Sequence, residues 1–254
     1  MTPWTEQIVD GIPIFRPADL PDGILVAFSG RGVAPPEEAS PTSYLARRLA
    51  RSLALDGTPI VRATQVHGNR AVTIRERPAA REAVDAGQCD ILASDLPGVA
   101  LAVQTADCVP IVLAARNAVA TAHAGWRGTA LQAARAAVEA LAAIGAEPAR
   151  LRAWLGPSIG PCCYEVGGEV AAQFAGEFVR TSCGGHFHLN VAGVNRAQLE
   201  AAGVPAGAIS VHPACTKCGG EKFASYRRDG AAAGRMIGLV ARLGSSAPHL
   251  AGPT

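Results

Sequence analysis

Apolar positions recur along the chain in two rhythms. A spacing of four puts Leu45, Leu49 and Leu53 on one side of residues 42–55, which predicts an amphipathic helix that Gly57 stops. Short, partly β-branched runs follow at 60–63, 71–74, 99–103, 110–113 and 118–122 and predict strands. The Ala-rich stretch 129–144 carries Leu131, Ala134, Val138 and Leu141 on one face and closes at Gly145, which predicts a second helix. Beyond it the pattern predicts strands at 151–155, 187–191 and 209–211 and helices at 165–178, 193–202 and 231–243. The Pro/Ser cluster at 35–41 reads as an exposed turn, and 245–254 as a frayed tail. Strand and helix do not alternate strictly: hairpin-like pairs fill the middle and helices sit toward both ends. An α+β layered domain fits this order better than a doubly wound sheet. There is no internal repeat, no dinucleotide fingerprint and no phosphate-binding GxxxxGK[ST] loop.

Composition narrows the function classes. The chain has 254 residues, 49% apolar and 17% charged, enough to bury a substantial core. A net charge of +2 gives no argument for nucleic acid or a membrane surface as partner, and 5% aromatics gives none for base stacking. The opening MTPWTEQIVDG lacks the basic and apolar regions of a secretory signal. The most apolar stretch, 99–115, is broken by Gln104, Thr105 and Asp107 and falls short of the ~18 residues a spanning helix needs. A soluble, cytoplasmic protein is expected. The seven cysteines are odd in number and irregularly spaced, which favours reduced thiols over a disulfide framework.

Several segments carry chemistry. TQVHG, 64–68, sets His67 after a strand and before a turn glycine; a lone histidine there is more often a hydrogen-bonded loop residue than a ligand. QTADCVPIVL, 104–113, sets Asp107 and Cys108 between two apolar strands. A cysteine there is usually an inert core residue, but the preceding Thr-Ala-Asp breaks the apolar run and Pro110 interrupts pairing. AVATAHAGWRGT, 118–129, reads as strand, turn and a helix capped near Thr129. Free N–H groups at that helix start, with Arg127 as a clamp, suit an anion; equally, Trp126 packs the core and Arg127 is solvated. GPSIGPCCYEVGGEV, 156–170, lines a pocket or turns a corner, and its adjacent Cys162 and Cys163 are poorly placed to bridge each other. CTKCGGEKFASYRRDG, 215–230, holds one CxxC; His212 offers a third ligand for a structural zinc, and no fourth is evident. Tyr226, Arg227, Arg228 and Asp229 face an anionic group or form a solvated turn. His186 and His188 share one face of a strand, a surface strand before a second metal site.

Taken together, these segments resemble the YfiH family, also called the multicopper polyphenol oxidase (laccase) domain family, which includes the peptidoglycan editing factor. The matching stretches are TQVHG, the segment 90–95, PGVALAVQTADCVPI, AHAGWRGT, AWLGPSIGPCCYEVGGEV, and CTKCGGEKFASYRRDG followed by GRM; they run in the family's order over roughly 60–240. The resemblance implies a single α-β-β-α layered domain of cysteine-hydrolase-like type over 1–244, followed by a flexible tail, 245–254. It implies a metal, zinc with copper as the alternative, on His67, Cys108 and His123. It further implies a purine nucleoside phosphorylase acting on adenosine, inosine and methylthioadenosine with phosphate, with adenosine deaminase activity, as a monomer or homodimer.

On that reading Cys108, His67, His123 and Asp107 are the catalytic candidates, Asp107 as a proton shuttle. Arg31, Gln65, Arg127, Tyr226, Arg227 and Arg228 are the substrate-binding candidates. Other readings are an amidase removing L-serine from a UDP-MurNAc peptidoglycan precursor through a Cys108–His123 pair, a copper laccase, and a non-catalytic metal-binding module. Six histidines are few for a multicopper centre. The N-terminal third departs from the family: FSGRGVAP, 28–35, shortens a Thr-Arg-x-Gly-Gly-Val-Ser string, Ser-Leu-Asn-Leu-Gly is missing, and Asn190 stands where many members carry aspartate.

Overall fold

Strands account for most of the regular structure. A computed structural model describes residues 4–32, 41–79 and 83–244, with the backbone alone at 41, 42 and 183. The expected turn at 35–41, save Pro41, and the tail 245–254 lie outside the described residues. The chain begins with β1 (Trp4–Val9), β2 (Ile12–Pro17), β3 (Ile24–Ser29), α1 (Pro41–Ser52), β4 (Ile60–Thr64) and β5 (Ala71–Ile74). The middle holds β6 (Val84–Gln88), β7 (Ile91–Ser94), β8 (Val99–Thr105), β9 (Val109–Ala114), β10 (Val119–Ala124), α2 (Trp126–Ala130) and α3 (Ala133–Ala142). Then come β11 (Arg152–Leu155), β12 (Glu165–Val166), α4 (Gly168–Ala171), β13 (Val179–Thr181), β14 (Phe187–Leu189) and α5 (Val191–Ala201). The chain closes with β15 (Ile209–Val211), α6 (Tyr226–Asp229) and β16 (Met236–Arg242).

Two large sheets form, in the orders β1-β2-β3-β16-β8-β4-β6 and β15-β11-β9-β10-β7-β5, with a small third sheet β12-β14-β13. The central strands β3, β8, β9 and β10 are apolar on both faces because both faces are covered, whereas the edge strands β1 and β6 are largely exposed. In β3, Val26 and Phe28 meet Val112, Val119 and Trp154 of the second sheet. The alternate residues Leu25 and Ala27 meet Leu45, Leu49 and Leu53 of α1. On the second sheet, Ile111, Leu113 and Ala122 pack with Val138 and Leu141 of α3 and Leu199 of α5.

The structure corrects four elements. Residues 231–243 were expected to be helical, yet 236–242 form β16, the strand between β3 and β8. Ile237 and Leu239 face α1 and Met236 and Val240 face the second sheet, so the run is apolar throughout and carries no period. Residues 165–178 are not one helix but β12, the short α4 and a 3₁₀ turn at Gly176–Phe178, because Gly167 and Gly168 disfavour a longer one. The helix expected over 129–144 starts at Trp126 and breaks where Gln132 takes a left-handed φ of 63°, giving α2 and α3. The strand expected to reach 191 ends at Leu189, because Asn190 caps α5 by accepting the Gly193 N–H at 3.0 Å. The pattern also passed over β1 and β2, a hairpin whose two turn residues, Asp10 and Gly11, both have positive φ, as a tight primed turn requires.

Candidate functional site

Three crossings between strand ends bring the chemistry together. His67 follows β4, Cys108 lies between β8 and β9, and His123 is the fifth residue of β10. One ligand atom from each of these three residues lies within 4.8 Å of the others. The rings of His67 and His123 meet edge to face, with centroids 4.7 Å apart.

Asp90, buried just before β7, organises this cluster. Its carboxylate accepts the backbone N–H groups of Val66 at 3.2 Å, His67 at 2.9 Å and Gly68 at 2.7 Å. His67 sits at a left-handed φ of 62°, a conformation that costs a non-glycine residue about 1–2 kcal/mol. Hydrogen bonds to a charged acceptor contribute about 1.5–3 kcal/mol each, so three of them outweigh that cost. The same carboxylate meets His123 Nδ1 at 2.8 Å. An ionised carboxylate only accepts, so Nδ1 carries the proton and the Nε2 lone pair is left for the cluster. Burial alone would push the Asp90 carboxyl up; the His123 hydrogen bond and the loop amides bring it below the ordinary value instead. Two glycines of the turn after β10 make the approach possible. A Cβ on Gly125 would lie 2.8 Å from Cys108 Sγ, and one on Gly128 would lie 2.8 Å from the Gly68 carbonyl oxygen.

Burial opposes ionisation of Cys108, but hydrogen bonding and charge from His123 and His67 hold its thiol down at about 6. Burial likewise opposes charge on His123, and Asp90 and Cys108 raise it to about 9. Without a metal, sulfur and imidazole thus favour a thiolate beside a positive partner, and a metal would take the place of the second His123 proton, on Nε2. Two imidazoles and a thiolate suit zinc or copper, and His123 has the carboxylate behind it that metal-bound histidines use. The donor set therefore fits a metal, which His67, Cys108 and His123 would hold.

Beside the cluster lies a cavity of about 450 Å³, lined among others by Gln65, Gln104, Asp107, Tyr164, Tyr226, Arg227 and Arg235, within the ~300–1,000 Å³ common for small-molecule sites. Tyr226 is 61% exposed at its edge, unusual for a large aromatic side chain. Arg227 lies over the Tyr164 ring at 5.3 Å and donates Nη1–H to the Glu165 carbonyl at 2.7 Å. Gln65 is locked against the backbone of Gln104, donating to its carbonyl at 2.8 Å and accepting its N–H at 2.9 Å. Asp107 takes a φ of 87°. One of its oxygens accepts Thr216 Oγ1–H at 2.6 Å and the other the Arg227 N–H at 2.7 Å, so the carboxylate is occupied as a brace.

The remaining candidates stand away from the cavity wall. Arg31 pairs with Asp229 at 3.5 Å and Glu221 at 3.7 Å. Arg127 stacks over Trp126 at 4.4 Å. Arg228 donates to the carbonyls of Thr216, Lys217, Gly220 and Phe223 and to Asp229, which makes it a loop clamp rather than a free cation. His212 is caged by Trp4, Phe15 and Phe223 and accepts the Ala214 N–H. His188 meets the Pro161 carbonyl at 2.7 Å, and His186 lies 3.8 Å from Glu165. Sequence reasoning assigned no role to Asp90, Tyr164 or Arg235. For Asp90 a signal exists: an acidic residue directly before the apolar run Ile91–Ser94 must find buried donors.

Comparison with known proteins shows what the chain as a whole is similar to. A family model described as "Multi-copper polyphenol oxidoreductase laccase" matches residues 41–243. A prokaryotic protein named adenosine deaminase RL5 is 40% identical over 207 residues, covering 74% of this chain and 77% of its own. A purine nucleoside phosphorylase of Deinococcus radiodurans is 39% identical over 219 residues, covering 83% and 82%. The crystal structure of the Bacillus licheniformis hypothetical protein YfiH superposes with a TM-score of 0.80 at 30% identity, over 91% of this chain and 96% of that one. The match over most of the length, with the motif residues gathered around one cavity, places this chain in the YfiH, or multi-copper polyphenol oxidoreductase laccase, family.

Proposed function

We propose that this protein is a zinc-dependent purine nucleoside phosphorylase whose site also deaminates adenosine. The observation that carries the reading is the gathering of His67, Cys108 and His123 within 4.8 Å at the wall of a nucleoside-sized cavity. The names of relatives at 39–40% identity support it. Three protein ligands are the number found at catalytic rather than structural zinc. Held by His67, Cys108 and His123, zinc would supply Lewis-acid chemistry. The layered reading of the fold, helix–sheet–sheet–helix, rests on the three separate apolar clusters.

The chain's own residues set up the rest. The exposed Tyr226 ring offers a stacking face for the base. Arg227 and Arg235 provide positive charge in the cavity wall for phosphate. Hydrogen phosphate attacks the ribose C1′, the C1′–N bond breaks, and the phosphate proton passes to the departing purine, giving ribose 1-phosphate and free base. Asp107 is better suited to positioning than to shuttling that proton, because both its oxygens already accept hydrogen bonds; it fixes the Arg227 backbone. Adenosine incubated with phosphate is expected to yield adenine in proportion to phosphate, read by chromatography. Inosine reports the deaminase reaction, and a lack of either product contradicts the reading.

One observation favours a second reading. Asp90, His123 and Cys108 also line up as carboxylate, imidazole and thiolate, with the thiol held at about 6 and the imidazole at about 9. That arrangement suits a cysteine amidase. Metal-free protein separates the two: the amidase stays active until iodoacetamide alkylates Cys108, whereas the phosphorylase is inactive until metal is restored.

A further inference from the structure

We propose that Cys162, Cys163, Cys215 and Cys218 hold one structural zinc ion, separate from the catalytic cluster. The CxxC of 215–218 lacks half of a zinc site in sequence. Folding supplies the other half from the loop between β11 and β12, more than fifty positions earlier. All four Sγ atoms lie within 4.8 Å of one another, and Cys162 Sγ is 3.8 Å from Cys218 Sγ. A tetrahedron of sulfurs at the usual Zn–S length of ~2.3 Å has edges of about 3.8 Å. The thiols are free, Cys162 and Cys218 stand well outside S–S bonding distance, and a bridge between the adjacent Cys162 and Cys163 would be strained. Four thiolates this close repel one another unless a dication sits among them.

The surrounding backbone is built to hold such a group. Gly160 donates its N–H to Cys215 Sγ at 3.2 Å, and the turn after Cys215 closes with the Gly219 N–H on the Cys215 carbonyl at 2.8 Å. Gly219 is required there, because a Cβ would lie 2.7 Å from that same oxygen. Four protein ligands leave no open position, so the ion would serve structure and not catalysis. Each thiol would release its proton to solvent on coordination. What the ion would fix is part of the cavity wall. Thr216, inside the CxxC turn, donates to Asp107 at 2.6 Å, and Tyr164, next to Cys163, lines the cavity. Little else joins the two loops directly: the Ser158–Cys215 bridge, with the Thr216 N–H on the Ser158 carbonyl, and the Gly160 contact.

The proposal does not depend on the reaction and is tested apart from it. The full chain carrying Cys108→Ala is purified and its metal measured by mass spectrometry. One equivalent of zinc is expected to remain, with Cys162, Cys163, Cys215 and Cys218 protected from iodoacetamide until a strong chelator is added. Replacement by cobalt chloride should give the intense sulfur-to-cobalt absorption of a tetrathiolate. The further pair Cys162→Ser and Cys218→Ser should abolish this equivalent; the labelling of the unaltered four cysteines settles the matter if that variant does not fold. A zinc-free Cys108→Ala protein, prompt alkylation of all four thiols in the native chain, iron in place of zinc, or masses showing disulfides would each overturn the proposal.

Discussion

The molecule presents two thiol-bearing centres that differ in surroundings more than in ligand atoms. At the cavity, one thiol and two imidazoles converge, Asp90 backs His123, and the cluster borders space for a ligand. At the loop pair, four thiols close on one another with no imidazole among the gathered ligand atoms, and Cys162 borders a smaller cavity of about 240 Å³. Three ligand atoms would leave a metal a free position at the first, and four would leave none at the second. The contrast teaches that the supporting shell and the number of ligands, rather than the presence of cysteine, separate a reactive site from a staple.

Substitutions that affect one centre and spare the other sharpen this contrast. The largest effect is expected from His123→Ala, which removes a ligand and leaves Asp90 buried without its imidazole partner. Phosphorolysis should fall to background and the cavity metal should be lost, while the four-cysteine centre keeps its own, as read by metal analysis. Asp90→Asn comes next. It removes the charge that fixes the His123 tautomer and gathers the Val66–Gly68 amides, and should cost about 10–100-fold in cavity-metal affinity or activity. Equal loss of metal at both centres would erase the distinction.

Tyr226→Ala is expected to act on binding. Removing one stacking face costs about 1–3 kcal/mol, which should appear as a raised KM for nucleoside with metal content unchanged. The smallest effect concerns pH and neither centre. Burial among aromatic rings pulls the His212 imidazole down from 6.5 to about 4. The unfolded chain therefore takes up this proton first as pH falls. The contribution of neutral His212 is complete above about 6.5 and is lost progressively down to about 4. Urea midpoints of the wild type and His212→Gln, measured across that window, should converge toward the acid end.

The sequence made some of this legible and hid the rest for identifiable reasons. The helix over α1 and the strands β5 and β15 followed from apolar spacing, because each has a clear period or clean bounds. β16 did not, since a strand buried on both faces presents a continuous apolar run. The three candidate cavity ligands were legible only through the motifs around them: a lone loop histidine and a cysteine between strands carry no metal signal by themselves. Asp90 acts through a hydrogen bond across thirty-three positions, which no local pattern encodes. His212 was read as a third ligand beside the CxxC, with no fourth in view, but folding sends that ring into an aromatic cage and brings Cys162 and Cys163 instead.

Metal content and adenine release, measured on the same preparations of wild-type and Cys108→Ala protein, test the catalytic role of the cavity cluster most directly. The wild type should carry the cavity metal and release adenine from adenosine in the presence of phosphate, and Cys108→Ala should lose both together. Undiminished adenine release by a variant lacking that metal would contradict it.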